Sequence, residues 1–249
     1  GMLQRKPEGD AARYDHMSQR WIKRYSPTAY ALGVNITHEM LQDGTALDLA
    51  QRSLIELGRS AAELKNTVAH DVLNLAFDSG YTGGDSKELC ATDHTTDDGS
   101  TSNELAVAAS LSEASVRQMF IEMASMTDLR GNKIKVMPRK LLVPRALMFD
   151  AEVLLKSEYK PGVAENDVNS IRSTNLFPEG HMVSDWLTSS TAYFVITDNS
   201  DQGLTYFDRE PLSVHRDKDT DTLNAKFLVY TRFDTGWTNY NHVFGSAGA

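Results

Sequence analysis

The chain of 249 residues has a single cysteine, Cys90, so it cannot form an intrachain disulfide, which fits a reducing compartment. No apolar run approaches the roughly 20 residues that a membrane-spanning helix needs, so no membrane partner is expected. The first 20 residues are polar throughout, and this predicts that no signal peptide is present. These absences exclude disulfide-stapled and membrane-spanning classes.

The sequence also lacks the short motifs that carry common chemistry. It contains no GxGxxG, GxxxxGK[ST], GxSxG, CxxC or HExxH pattern, and its seven histidines are scattered singly. We therefore predict no catalytic residue and no cofactor. The lone thiol of Cys90, beside a polar stretch, is interpreted as incidental rather than nucleophilic.

One polar segment, residues 92–103, offers oxygen and imidazole ligands for a metal ion. Its candidate ligands are Asp93, His94, Asp97 and Asp98. Oxygen-rich loops do bind hard cations, but this one lacks EF-hand spacing. We therefore predict a solvated loop and no metal site, and keep a metal-dependent enzyme that uses this loop as an alternative.

What the sequence does contain is an uneven distribution of charge. The net charge is −9, yet residues 1–30 hold six Lys or Arg against three Asp or Glu, a net +3 that leaves −12 for the remainder. A basic arm on an acidic body favours docking of the arm on the acidic surface of another copy. The acidic body argues against broad binding to phosphates.

The strongest local signal predicts one long helix over residues 45–77. This stretch has no proline and one glycine, and apolar residues recur in steps of three and four, which is typical of one buried helix face. The stripe consists of Leu47, Ala50, Leu54, Leu57, Ala61, Leu64, Val68, Val72 and Leu75. It spans little more than four heptads, so a coiled coil remains possible, although we expect the stripe to face the chain's own sheet.

The rest of the chain predicts shorter elements. Val34 and Ile36 indicate a short strand, and Thr37 can cap a turn of helix after it. Further along the chain, Ser112 can cap a helix whose buried face includes Val116 and Phe120. A strand over residues 141–143 leads with almost no loop into a helix. Pro144 is predicted to lie at the start of this helix. Its apolar face is predicted to consist of Leu147, Val153 and Leu154.

The end of the chain is rich in β-branched and aromatic residues, which predicts strands in "TAYFVITD", "LTYFDREPLSVHRD" and "AKFLVYTRFDTGW", with a hairpin tip at "RDKDTDTLN". The order is therefore arm, long helix, mixed middle and antiparallel strands, an α+β fold.

This ordered series resembles the major capsid protein of tailed phages, the Hong Kong 97-type fold, in the branch of the Mu-like major head subunits. The resemblance covers about residues 20–246. The segments that carry it are "RWIKRYSPTAYALGVNITHEMLQDG" for the extended loop, "LDLAQRSLIELGRSAAELKNTVAHDVLNLAF" for the spine helix, "NKIKVMPRKLLVPRALMFDAEVLLKS" for the corner of the axial domain, and "DWLTSSTAYFVITD", "GLTYFDREP" and "KFLVYTRFDTGWTNYNHVFGS" for the closing strands.

The resemblance implies four parts: an extended loop over 1–36, expected to be incomplete at its N-terminus, a peripheral domain with the spine helix over 37–90, an axial domain over 91–185, and return strands over 186–249. It implies a structural, non-enzymatic protein that assembles into pentamers and hexamers of an icosahedral shell around double-stranded DNA, contacted without sequence specificity. Portal, scaffold or decoration proteins are further possible partners. The expected location is the virion, assembled in the host bacterial cytoplasm.

Two alternatives and one set of residues complete the predictions. An encapsulin-type compartment that encloses a protein cargo shares the fold, and the metal-dependent enzyme is the more distant alternative. The predicted subunit contact lies in the basic arm, at Arg13, Arg20, Lys23 and Arg24, which we expect to meet acidic groups of an adjacent subunit rather than DNA.

Overall fold

The computed structural model describes residues 5–12, 14, 21–42, 47–97, 99–160, 167–198 and 203–249. The strands are β1 (Thr28–Ile36), β2 (His94–Thr96), β3 (Gly99–Thr101), β4 (Pro138–Pro144), β5 (His181–Ser184), β6 (Tyr193–Thr197), β7 (Leu204–Lys218), β8 (Ala225–Trp237) and β9 (Val243–Ser246). The α-helices are α1 (His38–Gln42), α2 (Leu47–Asn74), α3 (Glu113–Met123), α4 (Met148–Lys156) and α5 (Ser170–Ser173). Within the described ranges, no helix combines the length and apolar character that a membrane crossing requires.

The chain forms two compact units, each built from separate stretches of sequence. Unit 1 comprises residues 1–23, 73–204 and 237–249, and unit 2 comprises residues 24–72 and 205–236.

Unit 2 is built on a three-stranded sheet in the order β1-β8-β7. Strand β1 pairs with β8 in antiparallel register from Thr28 opposite Phe233 to Ile36 opposite Ala225, so it is longer than the short strand predicted around Val34. The β7–β8 connection is the predicted hairpin, and its tip is closed by the Asp219 amide donating to the Asn224 carbonyl at 3.0 Å. Thr37 accepts from the Met40 amide and caps α1 as predicted.

Helix α2 carries the predicted apolar stripe onto this sheet. It spans Leu47–Asn74 and ends three residues before the predicted end at residue 77, whereas residues 45 and 46 lie outside the described residues. Leu57 and Ala61 are buried in one cluster with Val229 of β8, and Leu54 and Val34 pack against that cluster. The prediction that the stripe faces the chain's own sheet is therefore confirmed at these positions. Leu75 was wrongly assigned to the stripe, because it lies past the helix end and is 38% exposed.

Two leucines of this stripe should differ in their contribution to stability. Leu57 is buried, whereas Leu64 is only half-buried. We expect Leu57→Ala to lower the free energy of unfolding by about 2–5 kcal/mol, as for other buried leucines, and Leu64→Ala to lower it by distinctly less. Urea unfolding of the two variants followed by circular dichroism measures the difference. Equal losses would show that the difference in burial between Leu57 and Leu64 does not set their contributions to stability.

Unit 1 is built on a four-stranded sheet in the order β5-β4-β6-β9, with β4 and β5 parallel and the other pairs antiparallel. Side chains of one sheet face form a core with α3, α4 and α5. The buried members of this core are Leu105, Val116, Met119, Met123, Met126, Val136, Leu141, Val143, Ala151, Leu154, Ile171, Phe177, Tyr193, Val195 and Phe244. Ser112 caps α3 in a reciprocal capping box with Ser115, which confirms the predicted helix start.

The prediction that two residues of these helices are buried is wrong. Phe120 is 36% exposed and Val153 is 48% exposed, because the buried faces of α3 and α4 are formed by other residues. On α4 the buried positions are Ala151 and Leu154. Periodicity placed the helices correctly but overestimated the width of their buried faces.

The abrupt corner after β4 is confirmed, with one difference. Pro144 has extended backbone angles (φ −69°, ψ 163°) and is the last residue of β4, paired with Ser184 of β5, rather than the first residue of the helix. A single 3₁₀ turn, Arg145–Leu147, then leads into α4. Because Pro144 lacks an N–H and has a fixed φ, the strand ends here without leaving a donor unpaired.

Candidate functional site

The structure describes two of the four arm residues predicted to form the subunit contact. Arg13 and Arg20 lie outside the described residues. Lys23 belongs to unit 1, where its ammonium donates to the Thr82 carbonyl and lies 5.5 Å from the centre of the Tyr81 ring. Arg24 belongs to unit 2 and is exposed. Lys23 is therefore held by its own chain, whereas Arg24 is available to another molecule.

Residues 21–26 alternate between half-buried and exposed positions, as expected for an extended segment lying on a surface. Trp21, Lys23 and Tyr25 are half-buried, while Ile22, at 72% exposure, and Arg24 face outward. The exposed side chain is thus apolar in unit 1, at Ile22, and cationic in unit 2, at Arg24.

Two glycine positions, which we did not predict as important, lie closely against Trp21 and Tyr25 of this segment. A Cβ atom at Gly84 would lie 3.1 Å from Cβ of Trp21 in unit 1, and one at Gly236 would lie 2.5 Å from the Tyr25 ring in unit 2. Tyr25 also packs on Phe207, with 4.4 Å between ring centres. The glycine pair of "YTGGD" and the glycine of "DTGW" were the available signals, because glycine permits this close approach.

Strand β7 is a long exposed edge of the sheet in unit 2. Its side chains are exposed at all but two of its 15 positions, including Tyr206, Phe207, Leu212 and Val214. Pro211, which cannot donate to a neighbouring strand, lies in this edge strand, as prolines in sheets usually do. An exposed edge with apolar side chains is typical of a surface that contacts another chain.

The candidate metal loop is solvated only in part: the sequence prediction is confirmed for Asp93 and Asp97, which are exposed, and wrong for His94. Strands β2 and β3 pair with each other here, and His94 is fully buried. Asp93 instead points outward into an ion pair with Lys87 at 2.5 Å, and Asp98 lies outside the described residues. Within the described ranges, no three acidic, histidine or cysteine side chains converge to hold a metal ion.

His94 is part of a buried polar network in unit 1. Its Nδ1 lies 2.6 Å from Oδ2 of Asp85, and its Nε2 lies 3.0 Å from Oδ1 of Asn103. The imidazole stacks on the Tyr240 ring at 3.8 Å with 6° between the planes. Burial, together with the charges of Asp85 and Asp128, raises the pKa of Tyr240 to about 12, so its phenol stays neutral.

Asn103 connects this network to three backbone segments. Its amide nitrogen donates to the carbonyls of Leu89, Tyr240 and Val243, at 2.7 to 3.1 Å. Its Oδ1 accepts from the Ala91 amide at 2.9 Å. The side chain therefore links the segment after α2 to the last residues of the chain.

The remaining reactive group of this region is Cys90. It is fully buried, and desolvation raises the pKa of its thiol well above the ordinary value. A protonated, inaccessible thiol is a poor nucleophile, which agrees with its interpretation as incidental.

The fold is that of phage shell proteins. The structure is similar to the bacteriophage PhiM1 mature capsid (TM-score 0.58, 14% identity, covering 98% of this chain and 78% of that chain). It is also similar to the capsid of cyanophage P-SCSP1u, with a TM-score of 0.54 and 10% identity, covering 96% of this chain and 80% of that chain. A phage-related protein from Bordetella bronchiseptica RB50 is similar with a TM-score of 0.50 and 15% identity, covering 89% of this chain and 76% of that chain. These similarities define the class as the Hong Kong 97-type capsid fold, as predicted.

The chain belongs to the phage capsid protein family, whose family model matches residues 22–245. It is thus a structural protein of the phage capsid and a component of the virion, which confirms the predicted family and function. A search of curated protein sequences finds no match. The Mu-like branch stays a prediction.

Proposed function

We propose that this chain is the major head subunit of a tailed phage and closes into pentamers and hexamers of an icosahedral shell around double-stranded DNA. The match of the capsid family over residues 22–245 carries this proposal, because it covers both units rather than one of them. The subunit acts through its surfaces and has no catalytic role. Assembly takes place in the host cytoplasm, with portal, scaffold or decoration proteins as further partners.

We also propose the four-part division for the assembled subunit: extended loop 1–36, peripheral domain with spine helix 37–90, axial domain 91–185 and return strands 186–249. Two features support it. Helix α2, at 28 residues, has the length of a spine and falls inside the second part. Strands β4 and β5 and helices α3 to α5 fall inside the third part.

The basic arm is proposed as a contact with an adjacent subunit. The exposure of Arg24 supports it, because this cationic side chain is accessible to another molecule, and Ile22 is exposed as well. Lys23 contributes differently: its contacts with Thr82 and Tyr81 hold the base of the arm on its own unit.

Purified protein imaged by negative-stain electron microscopy tests the proposed assembly. We expect rings or closed particles, far larger than the 27.6 kDa chain. Particles that contain nuclease-protected DNA after expression in an infected host would support a phage shell, whereas particles filled with one host protein would indicate an encapsulin-type compartment instead. A monodisperse monomer over a wide range of protein and salt concentration would contradict both.

A further inference from the structure

Helix α4 of unit 1 carries an exposed apolar ridge. Phe149 is 76% exposed, and Val153, one turn further along the same helix face, is exposed as well. We call these two residues the α4 ridge. Asp150, next to Phe149, is exposed and forms no ion pair with a residue in the described ranges, whereas Glu152 is paired with Lys156 at 2.6 Å. The ridge therefore presents apolar side chains beside one unpaired negative charge.

A second apolar surface of unit 1 is a groove of about 460 Å³ between α3, α5 and the start of β4. We call it the α3 groove. Its apolar walls include Phe120 and Ile121 of α3, Met137 before β4, and Leu176 and Pro178 after α5. Ile121 is 62% exposed, so no part of the chain that the structure describes covers the groove there. An open apolar groove of this kind is typical of a surface that another molecule covers.

The rim of the α3 groove carries a positive charge. Arg172 follows Ile171, which lines the groove, and Arg172 is exposed without an ion pair to any described residue. Arg117, which also lines the groove, is by contrast paired with Glu113 at 2.7 Å. The unpaired cation of the rim thus matches the unpaired acid beside the α4 ridge, and the two surfaces are complementary in charge as well as apolar.

One molecule cannot place its own ridge in its own groove. Met137 and Pro138 line the groove at the start of β4, whereas Phe149 lies in the first turn of α4, which follows the other end of β4 after a single 3₁₀ turn. The seven residues of β4 span about 20 Å. Ridge and groove therefore lie toward opposite ends of this strand, and they can meet only between two copies.

We propose that the α4 ridge of one copy docks in the α3 groove of a second copy, with Phe149 between the apolar walls and Asp150 beside Arg172 of that second copy. This inference rests on the proposed shell function. Because ridge and groove are different surfaces, every copy uses both, and the contact is head-to-tail and can close into a ring. It supplies a contact within the proposed pentamers and hexamers that does not involve the basic arm.

Introduced thiols test the contact directly. Val153→Cys places a thiol on the ridge and Ile121→Cys places one in the groove, whereas the native Cys90 is buried and does not react. A short bismaleimide is added to the full-length protein, and the products are separated on a denaturing gel. We expect the two single variants, coexpressed in equal amounts, to give covalent dimers, and the double variant to give a ladder of oligomers. Each single variant alone should stay monomeric, because a head-to-tail contact brings no two like surfaces together.

Absence of dimers in the coexpressed pair would overturn the proposal. Equal amounts of dimer from one single variant alone would overturn it as well, because like surfaces would then meet each other.

Removing the aromatic ring tests what drives the contact. Phe149→Asp in the thiol-bearing chains should lower the yield of crosslinked dimer by about tenfold or more, because buried aromatic anchors dominate such interfaces. The matched control is Val107→Asp, since Val107 is apolar, 77% exposed and outside both the ridge and the groove. Circular dichroism should show both variants folded. Equal yields for the two variants would contradict docking through Phe149.

Exchanging the charges tests the orientation of the ridge in the groove. Asp150→Arg and Arg172→Asp, each alone, should lower the yield of crosslinked dimer by about fivefold, as expected for one partly exposed ion pair. The two changes together should restore it. A combined variant as poor as the single ones would contradict the pairing of these two residues across the contact.

Electron microscopy of the same samples separates this inference from the proposed function. Closed particles without ridge-to-groove crosslinks would contradict the contact and leave the shell in place. A crosslinked ladder without particles would support the contact and contradict the shell, and the absence of both would contradict the two proposals together.

Discussion

Replacing Asn103 by leucine is expected to lower the free energy of unfolding by more than about 4 kcal/mol, which places it among the most damaging single substitutions. Leucine has the same branched arrangement of heavy atoms but no polar atoms, and its methyl groups are bulkier. It would leave the Ala91 N–H and the carbonyls around the amide nitrogen without this buried partner, and each buried polar group that loses its only partner costs about 1–3 kcal/mol. The contact between Nε2 of His94 and Oδ1 of Asn103 would be lost as well.

Urea or thermal unfolding followed by circular dichroism measures this effect. Because domains are stable by only about 5–15 kcal/mol, much of the variant should be unfolded or insoluble at 37 °C. Asn35→Leu is the matched control, since Asn35 is exposed on β1 and the same change there should cost little. If Asn103→Leu were as stable as that control, the network would not hold unit 1 together.

Reversing the charge of three arm residues, by Arg13→Glu, Arg20→Glu and Arg24→Glu together, is expected to abolish particle formation while the subunit stays folded. One exposed ion pair contributes only about 0–1 kcal/mol, so a single reversal should do little. Three reversals turn attraction toward an acidic neighbour into repulsion, and this change is repeated at every contact of a shell. Lys23 is left unchanged because its contacts with Thr82 and Tyr81 lie within its own unit.

Particle yield by electron microscopy and folding by circular dichroism are measured side by side. The control carries the same net charge but has the reversals elsewhere, at Arg59, Lys133 and Lys135, which are exposed. Because salt screens charges over roughly 8–10 Å at moderate ionic strength, added salt should restore part of the assembly of the arm variant. Normal yield of the arm variant, or equal loss in the control, would show that the arm is not a specific subunit contact.

Local patterns were sufficient to predict several elements. The three- and four-residue steps located α2, the Ser112 cap located the start of α3, and the β-branched runs located β6 and the β7–β8 hairpin. These features depend on residues close in sequence, so they can be read from it directly. The order of these elements was sufficient for the resemblance to phage capsid proteins, which the family match confirms.

Exposure within those elements was harder to predict. Phe120 and Val153 are apolar residues of correctly predicted helices, yet both are exposed. Hydrophobicity indicates that a side chain can be buried, but which side chains are covered depends on the elements that pack above them, and a structural shell subunit can leave apolar residues for contacts with other molecules.

The sequence by itself determined the element types, the α+β class and the family, because these follow from local periodicity and from the order of segments. Only the tertiary structure decided that His94, within the polar segment 92–103, is buried on strand β2 with Asp85 and Asn103 at its ring nitrogens. The physical reason is distance along the chain. The groups that satisfy Asn103 lie up to 140 residues away, and a polar side chain can be buried only where the fold brings such partners to it.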